Sequence, residues 1–212
     1  DFLGGALRIN SAIFQNEIKE LQASFVSLLA GGAVQFENAG EARIRGVELD
    51  ATWLVMPDLN PGLVLTAGGS YLDAVYTDFD DASGFNETTG VFSDGNDYTG
   101  NQIPRVPEYT YTVGISQTMS VPGGPLEIAS DYAYNDGFFF LSQNGNSREP
   151  SYALLGARVS YLYEPWQLRL TIFGNNLTDE VYRVSQFFTD FGRLDSQAPP
   201  RTYGLRFNWT FE

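Results

Sequence analysis

The sequence predicts an all-β fold: a transmembrane antiparallel up-and-down β-barrel, to which this chain contributes about eight strands. Three observations predict it: long segments that alternate apolar and polar residues, connections that are alternately short and long, and aromatic residues gathered near the short connections. Alternation with a period of two indicates strands, because successive side chains of a strand point to opposite faces of the sheet. A barrel wall in a membrane turns its apolar face to lipid and its polar face to the lumen.

The first four predicted strands cover residues 4–25, 34–56, 62–78 and 104–121. The first is the weakest, since only Leu7, Ile9 and Ile13 mark its apolar face. In the second, apolar residues from Val47 to Trp53 alternate with polar ones. The third and fourth continue this pattern and are longer than most strands of globular proteins.

The last four predicted strands cover residues 125–140, 150–163, 166–176 and 200–211. The final strand shows the alternation most clearly. Its apolar set is Tyr203, Leu205, Phe207, Trp209 and Phe211, and its polar set is Gly204, Arg206, Asn208 and Thr210.

The connections between these strands fall into two classes. Residues 57–61, 122–124 and 164–165 form tight turns rich in Pro and Gly, whereas residues 79–103 and 177–199 form long polar loops. Short turns on one side and long loops on the other are typical of outer-membrane barrels, whose short turns are periplasmic. The sequence contains no run of about 18 apolar residues and therefore predicts no transmembrane helix.

The composition excludes several classes of function. The 212 residues are 43% hydrophobic and 15% aromatic, a bias typical of strands. The chain has no Cys and no His, so thiol catalysis, Cys/His zinc sites and imidazole acid–base chemistry are excluded. A formal net charge of −14 argues against a nucleic-acid partner, because phosphate binding requires a basic surface. We see no catalytic constellation, and we expect no enzyme activity, cofactor or bound metal.

Aromatic residues gather near the tight turns and predict an interfacial girdle. Amphipathic rings at one height are typical of the boundary between lipid and water. The alternative is that these rings form the core of a soluble barrel. The predicted girdle consists of Trp53, Tyr161, Tyr163, Trp166, Trp209 and Phe211.

Charged residues alternate with the apolar ones and are predicted to face a lumen, since charge at membrane depth requires a wet or protein-filled interior. The alternative is that the arginines form ion pairs within the barrel wall. The predicted lumen residues are Arg158, Arg169, Arg206, Glu48, Asp50, Glu127 and Asp131.

Five stretches of the sequence have recognisable motifs. FENAGEARIRGVELDATW contains an Asn-Ala-Gly-x-Ala…Gly-x-Glu-Leu run, and GGSYLDAVYTDF precedes TGNQIPRVPEYTYTVGI, which has a strand-entry pattern with two prolines. LTIFGNNLTDEVY contains an Asn-Leu-Thr/Phe-Asp-x-x-Tyr motif, and PPRTYGLRFNWTF has the pattern of a closing strand. These stretches are residues 36–53, 68–79, 99–115, 170–182 and 199–211. In this order they resemble the C-terminal barrel region of TonB-dependent outer-membrane receptors.

The resemblance implies a receptor barrel of about 22 strands that encloses a plug domain. Such receptors lie in the bacterial outer membrane and import scarce nutrients, often ferric siderophores, with energy from TonB, ExbB and ExbD. The implied partners are outer-membrane lipid, the plug and remaining strands of the same receptor, TonB, and a small-molecule ligand of unknown identity. Residues 1–212 are expected to be the C-terminal part of the barrel, without the plug and the TonB box. Glu212 after Phe211 departs from the family's usual terminal aromatic.

Two further interpretations remain open. Eight strands can close into a small barrel by themselves, which would suit a structural or adhesive outer-membrane protein. Clustered carboxylates from Asp78 to Asp97 are compatible with a calcium site, although they lack the twelve-residue calcium-loop spacing and also suit a solvated acidic loop.

Ligand contact is predicted for aromatic residues of the two long loops, because binding residues concentrate on loops held by a rigid scaffold. The alternative is that these rings only pack the loops together. We further expect Phe187 and Phe188 to help close the extracellular vestibule. The candidates are Phe85, Phe92, Tyr98, Tyr182, Phe187, Phe188 and Phe191.

Overall fold

A computed structural model describes residues 1–27, 33–38, 40–85, 91–189 and 192–210 of the protein. Short 3₁₀ helices lie at Leu3–Gly5, Gly145–Ser147 and Glu164–Trp166. The described strands are β1 Leu7–Lys19, β2 Gln22–Ser27, β3 Ala33–Asn38, β4 Glu41–Leu54, β5 Leu63–Asp78, β6 Ala82–Phe85, β7 Phe92–Asn96, β8 Tyr109–Val121, β9 Gly124–Asn135, β10 Phe138–Phe139, β11 Arg148–Glu149, β12 Tyr152–Tyr163, β13 Leu168–Asn175, β14 Arg183–Thr189, β15 Gly192–Gln197 and β16 Thr202–Trp209.

Eight long strands form one antiparallel sheet in the order β1-β4-β5-β8-β9-β12-β13-β16. This is the predicted meander, and the all-β, up-and-down architecture is confirmed. Within the described residues β1 and β16 each have one neighbour and do not pair with each other, so the sheet does not close. The eight-stranded closed barrel therefore has no support in this part of the chain. No helix of the described ranges has the length and hydropathy to cross a bilayer.

The strand register gathers the alternating residues into two opposite faces. Directly opposed residues of antiparallel strands share a face of the sheet. One row of opposed residues is Ile128, Val159, Ile172 and Leu205. The neighbouring row on the opposite face is Glu127, Ser160, Thr171 and Arg206. We call these the apolar face and the polar face.

The apolar face is open to its surroundings. Leu205, Phe207 and Trp209 are 67%, 68% and 60% exposed. Soluble proteins rarely leave a continuous apolar surface of this extent uncovered. The face therefore requires an apolar environment or a partner.

The tight turns lie together at one end of the sheet, which we call the turn end. Val121 pairs with Gly124 across a connection made by Pro122 and Gly123. Gly123 has φ of 92°, a conformation that glycine adopts without the steric cost a side chain would add. The turns are tied together, because the Glu164 N–H donates to the Gly123 carbonyl over 2.8 Å.

The opposite end, the loop end, differs from the prediction in its details. The predicted first strand stops at Lys19, because Glu20 has φ of 55° and turns the chain out of the sheet. The hairpin β2–β3 follows, and the sheet resumes at β4. The other long connections contain the hairpins β6–β7, β10–β11 and β14–β15. Each hairpin forms its own two-stranded sheet. The alternation of apolar and polar residues in the sequence does not distinguish such hairpin strands from the strands of the large sheet.

A small core lies where the loop end covers the polar face. Ala42 pairs with Tyr76 at the last rows of the sheet, and Phe79 packs on Tyr76 with ring centroids 4.9 Å apart. Partly buried Ile18 of β1 and Ile103 of the β5–β8 connection pack against this core. The core therefore anchors the 79–103 segment to the sheet.

Candidate functional site

The seven predicted lumen residues all lie on the polar face. Their alignment follows from the strand register, which opposes polar residue to polar residue across the sheet. That this face lines a lumen stays a prediction. Glu48 and Asp50 lie on β4, Glu127 and Asp131 on β9, Arg158 on β12, Arg169 on β13 and Arg206 on β16.

The charges of the polar face are segregated. Of the predicted lumen residues, the acidic ones lie on β4 and β9, and the basic ones lie on β12, β13 and β16. Arg8 of β1 lies on the same face, opposed to Thr52, and forms an ion pair with Asp1. At the corresponding positions, β5 and β8 carry uncharged residues from Thr66 to Ser70 and from Thr110 to Ser116. The sheet therefore presents an acidic side and a basic side.

One ion pair joins the two sides. Arg158 Nη2 donates to Glu127 Oε1 over 2.8 Å, and the two side chains are 48% and 29% exposed. Next to it, the buried hydroxyls of Ser160 and Thr171 hydrogen bond over 2.9 Å. Arg158 therefore forms an ion pair within the sheet, which is the alternative stated above for the arginines.

Arg206 is held by an aromatic ring. Its guanidinium carbon lies 5.5 Å from the centroid of Phe173, within the range of a cation–π interaction. The ring lies across Gly204, where an added Cβ would clash with Phe173 Cζ. In the described part of the chain neither Arg206 nor Arg169 forms an ion pair.

The acidic side has fewer internal contacts. Asn10 Nδ2 on β1 donates to Asp50 Oδ2 over 2.8 Å. Asp131 lies beside Gly156, where the absence of a side chain leaves room for the carboxylate. Glu48 and Asp131 form no ion pair with other described residues.

Three connections meet at Phe140, which is 5% exposed. The guanidinium carbon of Arg105, from the β5–β8 connection, lies 5.5 Å from the Phe140 centroid. That of Arg183, from the β13–β16 connection, lies 5.8 Å from the same centroid. Two guanidinium groups from different loops are therefore close to the same ring.

A buried carboxylate completes this cluster. Glu149 is 3% exposed and accepts from Arg183 Nε over 2.5 Å and from the Arg183 backbone N–H over 3.1 Å. Arg105 also donates to the Val184 carbonyl over 3.2 Å. We call Arg105, Phe140, Glu149 and Arg183 the loop fastener. The sequence did not reveal it, because its members are far apart in the chain and follow no motif.

Further hydrogen bonds join the β9–β12 connection to β5 and to the β5–β8 connection. Tyr76 Oη and Ser142 Oγ lie 2.9 Å apart, and Asn101 Nδ2 donates to the Ser142 carbonyl over 2.9 Å.

Asp97 lies at the base of the β6–β7 hairpin. Hydrogen bonds from Thr99 lower the pKa of Asp97, and the bond from the Thr99 backbone N–H has a larger effect than the bond from its side chain. No three acidic side chains converge on a possible metal position within the described residues.

The predicted ligand aromatics have varied surroundings. Phe85 and Phe92 are opposed across the β6–β7 hairpin with ring centroids 5.5 Å apart. Tyr98 is buried edge-on against Phe79, and Tyr182 stacks on Tyr152 at 4.3 Å. These rings contact other rings of the loop end. The side chains of Phe187 and Phe188, and the whole of Phe191, lie outside the described residues. Ligand contact by this set stays a prediction.

The predicted girdle residues that the structure describes lie at the turn end, and their position at a lipid–water boundary stays a prediction. Tyr163 contacts Trp166 edge-on at 5.3 Å, and Trp53 and Trp209 occupy the last rows of β4 and β16. Phe211 lies outside the described residues.

A second aromatic cluster lies on the apolar face toward the loop end. Tyr71 and Tyr109 have ring centroids 5.1 Å apart, and Tyr111 and Tyr134 stack at 4.9 Å. The sequence carried a signal for this cluster, because Tyr109 and Tyr111 alternate within one strand. Together, the two clusters bracket the apolar face as the two girdles of a membrane barrel do.

A shallow depression lies at the turn end. Its volume is about 520 Å³, and Val121, Pro125, Glu164 and Pro165 are among its lining residues. It sits away from the charges of the polar face and from the loop fastener.

Known proteins share this architecture. The sequence model of the family described as TonB dependent receptor-like, beta-barrel matches residues 1–177. The "Probable TonB-dependent siderophore receptor PiuA" of Acinetobacter baumannii is 26% identical over 215 residues, covering 100% of this chain and 25% of that protein. The chain thus spans about a quarter of the length of this relative.

Solved structures show the same fold. The ferric yersiniabactin uptake receptor FyuA from Yersinia pestis superposes with a TM-score of 0.73 at 20% identity, over 95% of this chain and 27% of FyuA. The crystal structure of PiuA from Acinetobacter baumannii gives a TM-score of 0.72 at 24% identity, over 99% of this chain and 27% of PiuA. With its sorted turns, its two-faced antiparallel sheet and a match over residues 1–177, the chain belongs to the TonB dependent receptor-like β-barrel family of bacterial outer-membrane proteins.

Proposed function

We propose that this chain is the C-terminal part of an outer-membrane receptor that binds a scarce nutrient outside the cell and imports it. The substrate is a small metal-carrying ligand of the ferric siderophore type. In this proposal the whole receptor is a barrel of about 22 strands that encloses a plug domain and is energised by TonB, ExbB and ExbD.

The observation that carries the proposal is the two-faced sheet with its covered loop end. The exposed apolar face suits lipid, and the charged polar face suits a lumen that holds protein and water. The loop fastener holds three loops above that face, where a ligand from outside would arrive first. The relatives named as a siderophore receptor and an uptake receptor support the same substrate class.

Uptake of radiolabelled iron by cells carrying the full-length receptor tests the proposal. A panel of ferric siderophores would be compared in strains with and without TonB. We expect uptake of at least one complex that is lost when either the receptor or TonB is removed. A correctly folded receptor in the outer membrane that gives no TonB-dependent uptake of any metal complex would overturn the proposal.

A further inference from the structure

Two adjacent turns at the turn end hold large apolar residues in an unfavourable backbone conformation. One turn precedes β1 and the other connects β4 to β5, and they are joined because the Leu54 N–H donates to the Ala6 carbonyl over 2.8 Å. Leu3 in the first turn has φ of 53°, and Met56 in the second has φ of 47°. Bulky apolar residues seldom adopt this left-handed region, because it brings Cβ too close to the following carbonyl oxygen. Both residues therefore carry a conformational cost.

The residue types at these two positions depart from those at comparable positions of the chain. The Gly5 N–H donates to the Phe2 carbonyl over 3.0 Å, so Leu3 and Gly4, with φ of 67°, are the central residues of a tight turn. When both central residues are left-handed, Asn is favoured at the first position. The other described non-glycine residues with a left-handed φ are all polar or charged: Glu20, Asp81, Arg105, Asn144, Gln167, Asn176 and Asp179.

The described chain does not cover these apolar side chains. Leu3 is 68% exposed and Met56 is 60% exposed, and Leu59 of the second turn is 83% exposed. The second turn is nevertheless fixed to the sheet, because the side-chain amides of Asn60 and Gln117 exchange two hydrogen bonds of 2.8 Å. Packing within the described chain therefore does not offset the cost of the left-handed conformation.

The apolar surface of these turns is continuous with the apolar face. Phe2 is exposed and forms an isolated bridge with Leu7, and Leu7 is opposed to Trp53 of the predicted girdle. At the turn between β12 and β13, by contrast, left-handed Gln167 has a polar side chain that donates to the Glu164 carbonyl over 2.9 Å. A lipid layer that covers the row from Phe2 to Trp53 extends directly onto Leu3 and the second turn. Lipid is therefore the occupant that this continuity favours.

We propose that the turns at residues 3–6 and 55–62 are immersed in the headgroup layer of the leaflet at the turn end, with Leu3, Met56 and Leu59 as apolar anchors. The short turns of outer-membrane barrels otherwise lie in the periplasm. Partial burial of apolar side chains at the boundary of headgroups and acyl chains is favourable, and this gain offsets the conformational cost. The inference goes beyond the proposed function, because it depends on the outer-membrane location of the barrel and not on its ligand.

Spin-label accessibility in the full-length receptor tests the inference. Leu3→Cys or Leu59→Cys is introduced into a receptor in which any other cysteine is replaced by Ser, labelled with a nitroxide and placed in nanodiscs of phosphatidylethanolamine and phosphatidylglycerol. Relaxation by oxygen, which partitions into lipid, is compared with relaxation by a water-soluble nickel chelate. Ile172→Cys on the apolar face and Asn146→Cys in the exposed β9–β12 connection provide the lipid and water standards. We expect both turn labels to lie well above the water standard and below the lipid standard.

A second measurement uses the sign of a stability change. Leu3→Asn/Met56→Asn installs the residue type that left-handed positions favour, so it should raise stability if the turns stand in water. We expect the double variant instead to lower the urea midpoint of the receptor in vesicles of the same lipids, because two apolar anchors are lost. Gln167→Asn is the matched control, since it exchanges one polar residue for another in the same backbone region and should leave the midpoint unchanged.

Three results would overturn the inference. Turn labels that respond like Asn146→Cys would show that the tips stand in water. Labels shielded from both reagents in the purified receptor would assign the tips to a protein contact. A raised urea midpoint in the asparagine variant would show that lipid does not stabilise the turns. Iron uptake by the same variants is measured separately and should stay normal, so a failure here is distinguishable from a failure of the proposed function.

Discussion

Glu149 is a buried acidic residue of the loop end. It is almost fully buried, and Arg183 approaches it with both a side-chain and a backbone N–H. Removing one member of a buried ion pair is costly, because the remaining charge keeps its desolvation penalty without its partner. The pair joins the β10–β11 hairpin to the start of β14.

We expect Glu149→Gln to destabilise the attachment of the β14–β15 hairpin by about 2 kcal/mol, since Arg183 loses its nearest carboxylate and keeps the longer pair with Asp195 at 3.9 Å. Hydrogen exchange of the hairpin amides in the full-length receptor measures this change. Asp179→Asn is the control, because its pair with Arg201 is 49% and 41% exposed and should contribute at most about 1 kcal/mol. Unchanged hairpin protection in Glu149→Gln would show that the pair does not hold the hairpin.

The position of Phe173 follows from side-chain packing. Its ring fills the space above Gly204 and supports Arg206. We expect Gly204→Ala to displace the ring and to lower barrel stability by about 1 kcal/mol. Heat-modifiable gel mobility measures the effect. Gly100→Ala is a contrasting variant, because no atom lies within 4 Å of a Cβ there and its φ of 86° alone is responsible for any loss.

At the scale of the element, β16 shows how one strand serves two environments. Leu205 belongs to the middle row of the apolar face, whereas Asn208 belongs to the polar face and is opposed to Arg169. A shift of the register by one residue would exchange every one of these positions. The alternation therefore specifies which side of β16 meets lipid.

We expect Leu205→Arg to destabilise the folded barrel by about 2–4 kcal/mol, because a charge near the bilayer midplane is costly on the lipid side. Asn208→Arg places the same side chain on the polar face of the same strand and should change stability by less than about 1 kcal/mol. Urea unfolding in lipid vesicles compares the two variants. Equal losses would mean that the faces have been assigned to the wrong environments.

The whole molecule is a sheet bracketed by aromatic clusters at its two ends. Trp53, Trp166 and Trp209 lie near the turns, and the tyrosine cluster around Tyr109 lies near the loops. Rings of this kind favour the membrane–water boundary. The distance between the clusters defines the apolar height of the barrel wall.

We expect all three tryptophans to lie at one interface of the bilayer. In full-length receptors that keep one of these three tryptophans at a time and have Phe at every other tryptophan of the receptor, fluorescence should be quenched most by lipids with a quencher near the headgroup. The same receptor with Trp in place of Ile172, and Phe at every natural tryptophan, should be quenched most by quenchers deep in the acyl chains. A tryptophan from the turn end that behaved like the Ile172 position would refute the girdle.

The sequence alone determined the strand class, the two faces and the separation of short turns from long loops. These features are local, because side-chain alternation and the Pro-Gly turn at 122–123 depend on neighbouring residues. The positions of Glu48, Arg169 and Trp209 on their faces followed from the same period.

Only the tertiary structure decided the rest. In the structure the first strand ends at Lys19, and the long loops contain hairpins. Residues from three connections contact one another there: Arg105, Phe140, Glu149 and Arg183. The tertiary structure also decided that Arg158 is neutralised by Glu127 while Arg169 and Arg206 are not neutralised within the described chain. These outcomes depend on contacts between residues that are distant in the chain, and a local period of two contains no information about such contacts.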